Sequence, residues 1–138
     1  MNKNTETERP FLTTWMSCYD NHIIIPVHPN SAYDYNVTWT NLTHKGVGDG
    51  SVYDCVSEYK IEGLTSNDTY LVAITGLYPQ ICMKMNSNRS WDEARKLQTI
   101  AQWGTNPWVS MESAFKDCLN LHYTATDTPD LRDRKSVV

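Results

Sequence analysis

The sequence has no run of apolar residues near the ~18 needed to cross a membrane as a helix, no Cys-x-x-Cys pair, no His-x-His or His-x-x-x-His pair, and no excess of basic charge. Each gap excludes something. Without the long run no membrane span is expected, and without close Cys or His pairs a zinc site would need distant positions, so no metal site is expected. Twelve Lys plus Arg against sixteen Asp plus Glu leave a net charge of −4, which argues against a nucleic-acid partner. Gly-x-Ser-x-Gly and the Gly-rich loop ending in Lys-Ser or Lys-Thr are also missing, so neither an α/β-type hydrolase nor a phosphate-loop enzyme is expected, and no cofactor is implied. The first eight residues lack the apolar core of a secretory signal, so the sequence as written carries no export address.

What is present is enough for one folded unit. A chain of 138 residues, 40% hydrophobic, fits one domain with at most a small appendage. Cys18, Cys55, Cys82 and Cys118 allow three disulfide pairings that the sequence does not rank, and buried free thiols are the simpler expectation. Four Asn-x-Ser/Thr sequons, at Asn36, Asn41, Asn67 and Asn88, carry little weight in a chain so rich in Asn, Ser and Thr.

Residues 1–9 are polar and read as a disordered leader. From Phe11 to about Met85, short β-branched and aromatic runs alternate with Asn, Asp, Gly, Pro and Ser clusters, the punctuation of strands. The runs are 11–15, 22–27, 35–39, 52–56, 70–75 and 81–85. Tyr35, Val37 and Trp39 alternate with polar neighbours as a half-buried strand requires. Gly48-Asp49-Gly50 is the best hairpin turn. Six such strands imply a small β-sandwich over residues 10–86.

Beyond Met85 the spacing of apolar residues lengthens to about three and a half, which predicts helices over 87–131. Ser90 and Glu93 form a capping box, and Ala94, Leu97 and Ala101 make one stripe of a helix over about 91–102, with Gly104 as its left-handed cap. Ser110 caps a second short helix with Met111, Ala114, Phe115 and Cys118 on one face. The fold class expected is therefore mainly β with a two-helix C-terminal extension, α+β overall, followed by a flexible tail at 132–138.

The chemical candidates are few. Cys118 with a distant His is weighed as a thiol nucleophile and set aside because it sits in the apolar stripe. Asp127, Asp130 and Asp133 lack the loop pattern of calcium ligands and read as solvated carboxylates. Trp91, Trp103 and Trp108 flank the expected helices and are candidate binding residues for a glycan face.

Several motifs in order resemble one family. Arg9-Pro10-Phe11-Leu12-Thr13-Thr14-Trp15, Ile23-Ile24-Ile25-Pro26, Tyr35-Asn36-Val37-Thr38-Trp39, Gly48-Asp49-Gly50 and the run from Tyr70 to Pro79 resemble the N-terminal module of BspA-like bacterial surface proteins. The resemblance implies a PKD-like, immunoglobulin-like sandwich. Ile100-Ala101-Gln102-Trp103-Gly104, the run Trp108 to Leu121 and Ala125 to Leu131 resemble the opening of that family's leucine-rich repeats, so the helical extension would be a repeat cap. Here Thr40 to Val47 separate the Trp from Gly-Asp-Gly, which the family places almost together, so the hairpin carries an extra loop or another register. The resemblance implies a non-catalytic adhesion or protein-binding role at a cell surface or outside the cell, with a protein partner or cell-surface ligand. The alternative is a small glycan-binding protein or enzyme using the helix-flanking tryptophans and acidic loop residues. A solenoid begun and not continued leaves an apolar edge, for which Met111, Phe115 and Leu121 are the candidate interface of a homodimer.

Overall fold

Phe11–Met16 is rich in aromatic residues and Thr, and the strand it forms buries Phe11, Thr13 and Trp15 while Leu12, Thr14 and Met16 stay half-exposed. The computed structural model describes residues 8–83 and 93–131. Eight strands are present among them: β1 (Phe11–Met16), β2 (Ile23–Ile25), β3 (Asp34–Asn41), β4 (Gly50–Cys55), β5 (Tyr59–Ile61), β6 (Thr69–Leu77), β7 (Leu97–Gln102) and β8 (His122–Tyr123). Six form one sheet in the order β4-β3-β6-β1-β7-β8, and β2 pairs with β5 in a second sheet. All pairings are antiparallel except β7 with β8.

The two sheets share one core. From the large sheet come Phe11, Trp15, Tyr35, Val37, Trp39, Tyr70, Val72, Ile74, Leu97 and Ile100; from the small sheet come Ile23, Ile25 and Ile61, all three wholly buried. Burial of alternate residues fixes the register, because a slip by one would turn each of these faces to water. The six-plus-two division of strands also differs from the four-plus-three division of an immunoglobulin sandwich.

The expected strands at 11–15, 22–27, 35–39, 52–56 and 70–75 all fall on observed ones. Strand β5 was not expected. The run at 81–85 is not a strand where it is described: Ile81, Cys82 and Met83 are buried, and Met83 N–H donates to the carbonyl of Ser113 at 2.9 Å. Lys84 and Met85 lie outside the described residues, as do the start of the expected first helix with Ser90 and Trp91, the sequon at Asn88, residues 1–7 of the leader and the tail at 132–138.

The expected two-helix extension is not seen. Among the described residues only Glu93 and Ala94 carry helical backbone, and residues 97–102 are strand β7, a new neighbour of β1. Bulges explain the misleading spacing. Trp15, Thr14, Thr13 and Leu12 face Leu97, Thr99, Ile100 and Gln102, so Gln98 and Ala101 are extra residues without partners. Each bulge lengthens the interval between inward residues from two to three, and the buried positions Leu97, Ile100 and Trp103 imitate a helical stripe. Gly104 does adopt the left-handed conformation (φ 76°), but it closes a strand, and a Cβ there would collide with the carbonyl oxygens of Arg9 and Pro10.

The second expected helix is a chain of turns. Ala114 N–H donates to Met111, Cys118 to Phe115 and Leu121 to Cys118. Each bond spans three residues, and Ser113 and Asp117 have φ of 54° and 63°, which interrupts any right-handed helix. Ala114 is buried by this path, and Met111, Phe115 and Cys118 are partly so.

The extra residues between Trp39 and Gly50 form a loop organised by one side chain. Asn41, only 3% exposed, donates from Nδ2 to Asp68 Oδ2 at 2.8 Å and to the Val47 carbonyl at 3.0 Å, and accepts the N–H groups of Thr43 and His44 at 2.8 Å each. Its sequon is thus spent on structure. Trp39 still faces Gly50 across the pair, and a Cβ on Gly50 would lie 2.6 Å from Trp39 Cζ2. Because Asn41→Ala strands several buried polar groups, a loss of about 2–4 kcal/mol is expected. Urea unfolding reads this directly; a loss under about 0.5 kcal/mol would mean the loop organises itself without Asn41.

Candidate functional site

Polar groups gather where the turn after β1 meets the segment entering β7. Lys96 is 2% exposed, and its Nζ lies 2.8 Å from Asp20 Oδ1, 2.8 Å from the carbonyl of His22, and 3.0 and 3.2 Å from the two oxygens of Glu93. His22 Nε2 completes the group, 2.8 Å from Glu93 Oε2 and 3.7 Å from Asp20 Oδ2. Glu93 Oε1 accepts no well-directed hydrogen bond among the described residues and relies on the charge of Lys96. Burial by itself would raise the Asp20 carboxyl, yet the hydrogen bond and charge of Lys96, helped by His22, hold it below its ordinary value.

Asp20, His22 and Glu93 offer ligand atoms within 4.8 Å of one another, a set a divalent ion accepts. The ammonium of Lys96 already sits against both carboxylates. The two acids therefore share one cation of the chain's own, and the geometry is that of an internal ion cluster. A cavity of about 210 Å³ beside it is lined by Cys18, Tyr19, Asp20, Arg95 and Lys96. His22 does not line that cavity.

The tryptophans proposed for stacking have other work. Trp108 is wholly buried and Trp103 is 5% exposed; Trp91 lies outside the described residues. Phe11 packs against both, its ring centroid 5.7 Å from Trp103 and 4.8 Å from Trp108, and Tyr78 adds a further edge contact to Trp108 at 6.1 Å. The faces a sugar would need are covered by other rings. Met111, Phe115 and Leu121 pack partly against the same core, while the exposed apolar side chains near them are Leu119, Tyr123 and Val109.

The Cys118 thiol is pushed up to about 12, first by burial and then by the charge of Asp117, which disfavours its thiolate. Asp127 is more than a solvated loop acid: its carboxylate accepts the N–H groups of Trp103 and Gly104, both at 2.9 Å, and pairs with Arg9 at 3.5 Å. The sequence signal for it was the Asp one residue-frame away from Trp-Gly in the next coil, visible only once β7 and β8 are known to be parallel. Asp130 places its carbonyl on the N–H of Trp108 at 2.8 Å, and Asp133 lies outside the described residues.

Parallel stacking is the most regular feature of this region. Thr99 faces His122 and Ile100 faces Tyr123 in β7 and β8, and Pro107 bridges Asp130 in the same parallel sense. The separations 122 − 99 and 130 − 107 are both 23, so one coil of chain lies on the previous one in constant register. Beyond β8 the sheet has no further strand among the described residues. No helix among them is long and apolar enough to cross a membrane. Comparison with protein-family models, with curated proteins and with solved structures finds no match for this chain.

Replacing Lys96 by Met leaves the buried Glu93 and the half-buried Asp20 without their cation and is expected to cost about 3–5 kcal/mol at pH 7. The pH profile identifies the cause. In the wild type Asp20 is depressed, so its contribution is whole above the unfolded value of ~3.9 and fades as pH falls through the folded value. In Lys96→Met burial raises the same acids, and their cost is relieved by protonation, so the stability gap to wild type narrows on acidification from pH 7 to 4. Urea midpoints at several pH values measure it. A gap independent of pH would assign the loss to packing.

Proposed function

We propose that the chain is a non-catalytic protein-interaction module, a β-sandwich whose sheet runs on into the first coils of a solenoid, as the resemblance to BspA-like bacterial surface proteins implies. The observation that carries this reading is the constant spacing of 23 residues between parallel positions, kept at β7–β8 and again at Pro107–Asp130. Repeats of 20–29 residues with one short parallel strand per turn are the geometry of leucine-rich solenoids. Side chains reinforce the stack: Asp127 caps the amides of Trp103 and Gly104 in the coil before it, and the Thr124 hydroxyl donates to the Ile100 carbonyl at 3.2 Å. Stacked coils of this kind bury their apolar faces only against neighbours. The β8 edge, with Tyr123 58% and Leu119 71% exposed, is the natural seat of another coil, another chain or a second copy of this one.

Lengthening the chain tests the reading. A second copy of residues 109–131 inserted between Leu131 and Arg132 supplies one more coil in the same register. If the edge is built for stacking, the added coil orders, its amides exchange slowly and the thermal midpoint rises by about 2–4 °C for each kcal/mol the coil contributes. An added segment that exchanges freely and leaves the midpoint unchanged would overturn the solenoid reading. A light-scattering concentration series on the unmodified chain separates a second copy from the other occupants, because only self-association doubles the mass.

A further inference from the structure

A second cavity lies between the β2–β3 and β4–β5 connections. It encloses about 270 Å³ and is lined by Val27, His28, Pro29, Ser31, Tyr33, Val56, Ser57 and Glu58. Its walls are held in place. Tyr33 accepts the N–H of His28 at 2.8 Å and donates to the Gln80 carbonyl at 2.5 Å; Ser31 donates to Gln80 Oε1 at 3.2 Å; and Tyr35 donates to the Ser57 carbonyl at 2.6 Å. A pocket fixed before its ligand arrives loses little entropy on binding.

The charge in this cavity is one-sided. Glu58 is its only carboxylate, it makes no ion pair among the described residues, and no Lys or Arg lines the space. Among the described residues, Lys60 pairs with Glu62 at 3.3 Å, and Lys96 is taken by Asp20 and Glu93. His28 accepts the Asn30 N–H on Nδ1 at 3.0 Å, which is the arrangement of a neutral ring. The Glu58 carboxyl is raised, first by burial and then by the charge of Glu93, so it gains from an added cation. Val27, Pro29 and the 71% exposed Val56 supply the apolar part of the lining. An anion is repelled here, and a wholly apolar ligand would leave Glu58 without a partner. An alkyl stem ending in a cation satisfies both parts.

We propose that this cavity receives an arginine or lysine side chain of a protein partner, its stem against Val27, Pro29 and Val56 and its charged head at Glu58. This rests on the interaction-module reading only for the source of the cation, and it places a second recognition point away from the β8 edge.

The full chain titrated with N-acetyl-arginine amide, followed by amide shifts in NMR, gives the test. Saturable shifts are expected at Ser31, Val56, Ser57 and Glu58, with N-acetyl-citrulline amide, neutral on the same stem, producing none. Glu58→Gln, on an exposed connection, is expected to keep the spectrum elsewhere and weaken arginine binding at least fivefold. Equal response to citrulline, unchanged affinity in Glu58→Gln, or no saturable shift overturns the proposal. Failure here with success of the lengthened chain leaves the solenoid reading standing; the reverse pattern leaves the cation pocket without its proposed protein source.

Discussion

Strand β1 is hydrogen-bonded along both edges, to β6 on one side and to the bulged β7 on the other. Because its inward residues are Phe11, Thr13 and Trp15, this one strand holds the centre of the core while joining the sandwich to the coils that follow. Phe11 is where the two parts meet, touching Tyr78 from the sandwich side and Trp103 and Trp108 from the coil side. Aromatic groups bury large areas with defined ring geometry, so residues beyond 93 complete the core and do not merely rest on it. The internal ion cluster sits at the same junction. Lys96 reaches back to the turn after β1, and Met16 N–H donates to the Lys96 carbonyl at 2.8 Å.

The strands of the front half were legible because their alternation is plain and their turns are rich in Gly, Asn and Asp. Tyr59–Ile61 escaped notice since three residues are too few to set a period. The back half was misread for a specific reason. Sequence periodicity reports the spacing of inward side chains, not the backbone that produces it, and two bulges in β7 give the three-residue spacing that a helix also gives. The same ambiguity covers 111–118, where successive turns with two left-handed residues bring Met111, Ala114 and Phe115 to one side. The site features were less visible still. Nothing local marks Lys96 as buried, since its partners Asp20 and His22 lie more than seventy residues away, and the tryptophans placed at the surface by helix-flanking logic are enclosed once that segment becomes a strand.

Function in this account follows from edges and from unbalanced charge. Along the coil side, backbone groups and the carboxylate of Asp127 stack one turn on the next, a device that continues as long as coils are supplied. Among the described residues Glu58 makes no ion pair, whereas Asp20 and Glu93, chemically similar, share Lys96. The contrast sets acids that stabilise the fold apart from one whose proposed role is recognition.

Native-state hydrogen exchange measures the central claim, that the coils fold as one unit with the sandwich, most directly. The account predicts that the Met16 amide bonded to Lys96, the amides of β7 and those of β6 exchange in a single cooperative class whose opening energy matches global unfolding. Exchange of β7 and of the Thr124 amide at least a hundredfold faster than β6, through a separate opening of residues 93–131, would contradict it.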